Sequence, residues 1–213
     1  MTQTIIAIVG ASASGKTLLA QTIYQELSQE MGEQFSLAII TEDAYYRDQS
    51  HLPFKAREQN NYDHPQAFEH DLLLAHLTAL RKGQNVALPT YDFSQHTRAE
   101  QTREISAAKV VIVEGILLLS DEQLRDQFDI KLFVDTPLDI CLLRRIERDM
   151  MERGRSLKSI TEQYQNTVRP MYYQFIEPCK EHADMVVKRG GKNRIAIDML
   201  KQRIRALITE EQY

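Results

Sequence analysis

Three groups of residues in this chain could do chemistry on a phosphate ester. The first is Gly10-Ala11-Ser12-Ala13-Ser14-Gly15-Lys16-Thr17. Small residues there let the backbone curl so that successive N–H groups point inward and cradle phosphate oxygens. Lys16 adds a mobile positive charge for β- and γ-phosphates, and the Thr17 hydroxyl is placed to ligate Mg²⁺. The second group is two acids that follow apolar runs, Asp43 and Glu114. An acid at the end of a buried strand beside such a loop is placed near the magnesium. Glu114 is longer than the usual Asp, which points to contact through a bound water or through another of the ion's ligands. The third group is Arg144, Arg145, Arg148, Arg153 and Arg155, five arginines within twelve residues of a chain whose net charge is −4.

The elements that must position these groups follow from apolar patterning. Residues 4–9 form a short, β-branched run that reads as a strand buried on both faces of a parallel sheet. After Thr17, Leu18, Leu19, Ile23 and Leu27 give a helical apolar face over residues 16–30, with Gly32 as its stop. Strand, small-residue loop and helix in that order are the setting a phosphate loop needs, with the helix dipole aimed at the anion. A chance glycine-rich turn is the competing reading, and the flanks argue against it. The pattern implies binding of a nucleoside triphosphate.

Residues 36–41 read as a second strand, so Asp43 lies at the sheet edge where open α/β sheets take ligands. From position alone it is either a chemical group or a turn cap. Residues 47–65 read as a functional loop, and residues 66–82 as a helix closed by Gly83. Residues 86–93 with a return strand at 102–105 predict a β-hairpin flap turning at 95–98. Strands are further expected at 109–115, 130–135 and 183–187. Residues 121–128 read as a short helix, and Thr136-Pro137 as the capped start of another. A helical stretch over 156–182 should kink near Pro170 and Pro178, and residues 194–209 form the last helix. The arginine run is either a solvated face balanced by Glu147, Asp149 and Glu152, or a lid that clamps developing phosphate charge. The neighbouring phosphate loop favours the lid.

Bulk composition bounds the function. A 213-residue chain with 43% hydrophobic residues supports a substantial core, and one α/β domain over 1–213 is expected. A net charge of −4 gives no sign of a nucleic-acid partner. Cys141 and Cys179 are in no metal or redox spacing, as in a reduced, cytoplasmic protein. No basic segment precedes the first apolar run, so a signal peptide is not expected. The most apolar stretch, 110–119, is far shorter than the ~20 residues a membrane span requires.

Further blocks carry a resemblance: Glu-Asp-Ala-Tyr-Tyr-Arg at 42–47, Asn-Tyr-Asp-His-Pro at 61–65 and Tyr-Asp-Phe-Ser-Gln-His-Thr-Arg at 91–98. Val-Glu-Gly-Ile-Leu at 113–117, Arg-Arg-Ile-Glu-Arg-Asp at 144–149, Glu-Arg-Gly-Arg at 152–155 and Arg-Gly-Gly-Lys-Asn at 189–193 continue it. Together with residues 10–17 they resemble the uridine kinase family over nearly the whole chain. The resemblance implies a P-loop kinase fold, α/β and doubly wound, with a five-stranded parallel sheet, a hairpin flap and a helical lid. It implies ATP or GTP as donor, Mg²⁺ organised by Thr17 and Glu114, and a pyrimidine nucleoside as acceptor. Asp43 would take the proton of the 5′-hydroxyl, with Tyr46 beside it. Asp63 and Arg145 would hold the ribose, and Tyr62, Tyr91, His96, Arg155 and Gln163 the pyrimidine. Arg148 and Arg153 would face the phosphates. A homotetramer inhibited by cytidine and uridine triphosphates is also implied.

Two other readings compete. A phosphoribulokinase-like sugar-phosphate kinase would need a basic site in place of the Tyr91/His96 pocket. A GTPase-like switch would read guanine with Asn-Lys-x-Asp, which Lys192-Asn193-Arg194 does not match.

Overall fold

Strand β1 (Thr4–Gly10) sets the architecture because both of its faces are apolar. Ile5, Ala7 and Val9 point into one core, and Ile6 and Ile8 into another, as the two-residue strand period requires. The computed structural model describes residues 3–209. In it β1 is the middle of a five-stranded sheet, paired in parallel with β5 (Val110–Gly115) and β6 (Ile130–Asp135). Beyond these lie β2 (Leu37–Thr41) and β7 (Met185–Lys188), giving the order β2-β5-β1-β6-β7. The parallel five-stranded sheet read from the sequence is therefore present, and helices cover both faces.

On one face, α1 (Lys16–Met31) and α8 (Arg194–Thr209) bury Leu19, Ile23, Leu27, Ile197 and Ile204. Each fully buried aliphatic side chain of this kind contributes about 1.5–3 kcal/mol. The other face takes Leu73, Leu77 and Leu80 of α3 (His70–Arg81), with Phe133, Tyr172 and Ile176. A short α2 (Phe54–Glu58) interrupts the 47–65 loop.

Several sequence boundaries shift. The helix expected from residue 66 begins at His70, because residues 65–67 form a 3₁₀ turn and Phe68 pairs with Tyr46 as an isolated bridge. The hairpin is longer than expected: β3 (Val86–Asp92) pairs antiparallel with β4 (Thr97–Ile105), so Thr97 and Arg98 belong to the return strand. Its register shifts between Pro89 and Thr90, which accommodates a proline that cannot donate to the ladder. The helix over 121–128 shrinks to α4 (Glu122–Arg125).

Helix α5 (Leu138–Met151) lacks the hydroxyl cap expected from Thr136, whose Oγ1 instead donates to the Ser14 carbonyl at 2.9 Å. The 156–182 stretch stays helical throughout. It runs from α6 (Leu157–Gln163) through a π turn at 164–168, α7 (Arg169–Met171), a π turn at 172–176 and a 3₁₀ turn at 177–182. Pro170 sits between the two π turns and Pro178 in the first turn of the 3₁₀ segment, so local widening absorbs the expected breaks. Among the described residues no helix is long and apolar enough to cross a membrane.

Candidate active site

The loop between β1 and α1 is built by backbone conformation. Ala13 and Gly15 have φ of 63° and 97°, left-handed values that turn neighbouring N–H groups toward one point. A side chain at Gly15 would be strained by that φ and would stand 3.3 Å from the Gly191 nitrogen. Two of the loop's carbonyls are held by donors distant in the chain. Thr136 and Arg144 Nη1 donate to the Ser14 carbonyl at 2.9 and 3.3 Å, and Gly191 N donates to the Gly15 carbonyl at 3.2 Å. These contacts and the Ser14 N–H bond to the Ala11 carbonyl at 3.0 Å fix the backbone of the loop.

Lys16 stands 4.0 Å from Glu114, which is 5% exposed at the end of β5. Burial pushes the Glu114 carboxyl up, against the Lys16 charge and the hydroxyls of Thr17 and Thr41. Thr17 itself is exposed at the head of α1. A hydroxyl and a carboxylate converging beside the loop amides are the oxygen donors that Mg²⁺ takes.

Asp43 follows β2 on a 3₁₀ turn, Glu42–Tyr45, and is half-buried in the same cleft. Burial raises its pKa above the ordinary aspartate value, with Lys16 the foremost opposing charge, Arg153 and Arg148 behind it, and Glu42 adding to the rise. The turn is fixed by Glu42, which is fully buried. Its carboxylate accepts from Ile116 N at 2.6 Å, Leu117 N at 2.9 Å and pairs with His70 Nε2 at 2.9 Å. Gly115 is obligatory here, because any side chain would overlap the Glu42 carboxylate.

Next to Asp43 lies an aromatic chamber. Tyr46 stacks on Phe68 at 4.3 Å and packs against Tyr62 and Tyr91 at 5.3 and 5.0 Å. Tyr62 stacks on His96 at 5.5 Å and donates its hydroxyl to the Arg57 carbonyl at 2.9 Å. The Tyr91 hydroxyl is buried with no hydrogen-bond partner among the described residues, and burial lowers the His96 pKa. Asp63 is 5% exposed; burial raises its pKa, and Arg145 is the charge that most opposes the rise.

Of the residues singled out from the sequence, Ser12, Ala13, Gly15, Lys16, Thr17, Asp43, Tyr46, Tyr62, Asp63, Tyr91, His96 and Glu114 line one cleft of about 1780 Å³. Arg145, Arg148, Arg153, Arg155 and Gln163 line it too. Gly10, Ala11 and Ser14, though part of the same loop, do not line the cleft. Arg145 makes its ion pair with Asp149, at 3.7 Å, rather than with Asp63. Gln163 Oε1 accepts from Arg145 and Arg155 at 3.0 and 2.7 Å.

Sequence reasoning missed Glu42, Phe54, Phe93 and the centrality of Asp149. Phe54 approaches His96 at 5.9 Å, and the Arg153 guanidinium lies 4.9 Å over the Phe93 ring, joining lid to flap. Local pattern gave no signal for Glu42, whose partners Ile116 and Leu117 lie more than seventy residues away, and none for the exposure of Phe54 and Phe93. Cys141 and Cys179 are buried free thiols whose pKa burial pushes up to about 11 and about 12.

Comparison with known proteins decides the family. The profile of the Phosphoribulokinase / Uridine kinase family matches residues 5–196. This chain belongs to that family. The uridine kinase of Tolumonas auensis is 57% identical over 204 residues, covering 96% of this chain and 95% of its own length. That of Escherichia coli K12 is 57% identical over 200 residues, covering 94% and 93%. Two solved structures share the fold: a candidate fructose transport system kinase from Silicibacter sp. TM1040 (TM-score 0.69, 19% identity) and a candidate uridine kinase from Bacillus stearothermophilus (TM-score 0.55, 21% identity). The first covers 87% of this chain and 89% of its own, the second 88% and 89%. The family places the chain among enzymes that use a phosphate loop, in agreement with the loop at 10–17.

Proposed function

We propose that residues 1–213 act as a single nucleoside kinase domain that transfers the γ-phosphoryl group of ATP or GTP to the 5′-hydroxyl of uridine and cytidine, giving UMP and CMP for pyrimidine salvage. One observation carries the reading: Asp43 shares a cleft with Lys16 on one side and with the chamber of Tyr46, Tyr62, Tyr91 and His96 on the other. A base between a phosphate loop and an aromatic pocket fits a hydroxyl-bearing ring better than a sugar phosphate. The uridine kinase relatives point the same way.

The loop amides and Lys16 hold the β- and γ-phosphates, and Arg148 and Arg153 meet the charge that develops on transfer. Asp43 accepts the hydroxyl proton, Asp63 the ribose hydroxyl hydrogens, and Tyr91 and His96 meet the pyrimidine edge. Thr17 and Glu114 would hold Mg²⁺, which neutralises charge between the phosphoryl groups when bound. The enzyme works in the cytoplasm as a homotetramer, and cytidine and uridine triphosphates inhibit it by competing with nucleoside. Light scattering reports the tetramer, and nucleoside competition kinetics report the inhibition.

The test is direct product detection across a nucleoside panel with ATP, GTP and Mg²⁺. Formation of UMP and CMP supports the reading. Nucleotide hydrolysis without transfer, or transfer only to sugar phosphates, overturns it.

A further inference from the structure

Asp149 lies on α5 one turn beyond Arg145, and none of it reaches solvent. A buried carboxylate without partners is strongly disfavoured, and this one is met by four arginines. The compensation is divided by oxygen. Oδ1 takes Arg148, through Nε at 2.9 Å and Nη2 at 2.8 Å, together with Arg153 Nη1 at 3.5 Å. Oδ2 takes Arg155 Nη1 at 3.3 Å and Arg145 Nε at 3.7 Å.

Under the function proposed above the two pairs serve different groups, Arg145 and Arg155 the nucleoside and Arg148 and Arg153 the phosphates. Arg145 and Arg155 share Gln163, and Arg145 is the charge that most opposes the raised pKa of Asp63. Arg148 and Arg153 both act on Asp43; Arg148 also acts more weakly than Arg145 on Asp63, and Arg153 reaches the flap at Phe93 near His96.

We infer that Asp149 is a positioning residue that couples the nucleoside end of the cleft to its phosphate end through the two oxygens of one carboxylate. The inference rests on the function proposed above. A carboxylate is planar, so a rotation that moves one oxygen moves the other. A nucleoside that orders Arg145 and Arg155 thereby fixes Oδ1, and with it Arg148 and Arg153. The triphosphate then meets arginines whose ordering cost is already met, which is positive cooperativity. Linkage makes the effect reciprocal. Asparagine keeps one acceptor and turns the other into a donor, so it can hold only one of the two arginine pairs.

The experiment is calorimetric titration of the full chain with a non-hydrolysable ATP analogue, with and without saturating uridine. In the wild type, uridine should tighten analogue binding at least ~5-fold, and the analogue should tighten uridine by the same factor. Asp149→Asn should bring the ratio within ~2-fold of unity while each ligand alone still binds. Asp149→Glu, with both acceptors, should recover coupling. If Asp149→Asn does not fold, Arg148→Gln is read instead and should lower the coupling likewise. Absence of coupling in the wild type overturns the inference, as does full coupling in Asp149→Asn or, in its place, Arg148→Gln. A wild type that binds the analogue but no uridine overturns the proposed function instead.

Discussion

Two clusters of charge in this molecule use the same residue types to different ends. Between α1 and α8, Glu26, Glu30 and Asp198 meet Arg194, Lys201 and Arg205, three acids against three bases. Lys201 is largely buried, yet its ammonium reaches Glu26 and Glu30 at 2.6 and 2.5 Å. Hydrogen bonds, first from Arg194 and then from Lys201, hold the Glu26 carboxyl down to about 2. At the lid, four arginines surround the single buried acid Asp149. Burial works against its ionisation, but Arg148 foremost keeps it below the ordinary aspartate value. The balanced cluster closes on itself and fastens two helices. The unbalanced one keeps a surplus of positive charge at the edge of a cleft, and a surplus there is what an incoming polyphosphate neutralises.

Substitutions sharpen this contrast, beginning with the largest effect. Asp43→Asn keeps shape and one acceptor oxygen but removes the charge, so kcat should fall ~10²–10⁴-fold. Uridine KM should change much less, because Asp63 is untouched. Lys16→Ala removes the cation that the proposed function assigns to the transferring phosphoryl group and should lower kcat ~10²–10³-fold at saturating ATP. A variant that keeps most of its kcat would show that Lys16 does not follow the phosphoryl group. Asp63→Asn should reverse the balance seen at Asp43, raising uridine KM ~10–100-fold with a smaller change in kcat, as loss of hydrogen bonds to a charged acceptor implies.

The smallest effect belongs to the balanced cluster. Glu26→Gln should leave kcat unchanged and lower Tm at pH 7 by no more than ~2–4 °C, since partly exposed ion pairs contribute little. The sign follows from linkage. The Glu26 pKa is lowered in the folded state, so its contribution is complete above pH 4.5 and is lost as pH falls toward about 2. The wild-type advantage over Glu26→Gln should shrink over that window in thermal melts. A kcat defect in Glu26→Gln comparable to that of Lys16→Ala would erase the distinction between the two clusters.

Much of this was legible in the sequence where local pattern decides structure. The β-branched run before Gly10 and the helical face after Thr17 specify the phosphate loop, and both appear as expected. The residues that brace the site were not legible, because their partners are distant in the chain. Thr136 reads as a helix cap until the Ser14 carbonyl, more than a hundred residues earlier, proves closer. Glu42 resembles any acid in a turn, and its role depends on the amides of Ile116 and Leu117. The arginine run reads as balanced by Glu147, Asp149 and Glu152. In the fold, Glu147 and Glu152 are exposed and, among the described residues, lie outside the cluster, so Asp149 alone remains. Burial, which sequence spacing does not report, made that choice.

The most direct measurement of the central claim is the pH profile of kcat for UMP formation, compared between the wild type and Asp43→Asn. Asp43 must be ionised to accept a proton, and burial raises its pKa above the ordinary aspartate value, with Glu42 adding to the rise and Lys16, Arg153 and Arg148 opposing it. The wild type should form UMP and lose kcat as pH falls, along a limb lying above the ordinary aspartate range. Asp43→Asn should run far slower at neutral pH and lack that limb. A wild type that forms no UMP, or a variant that keeps both the rate and the limb, would contradict the assignment of Asp43 as the base of a nucleoside kinase.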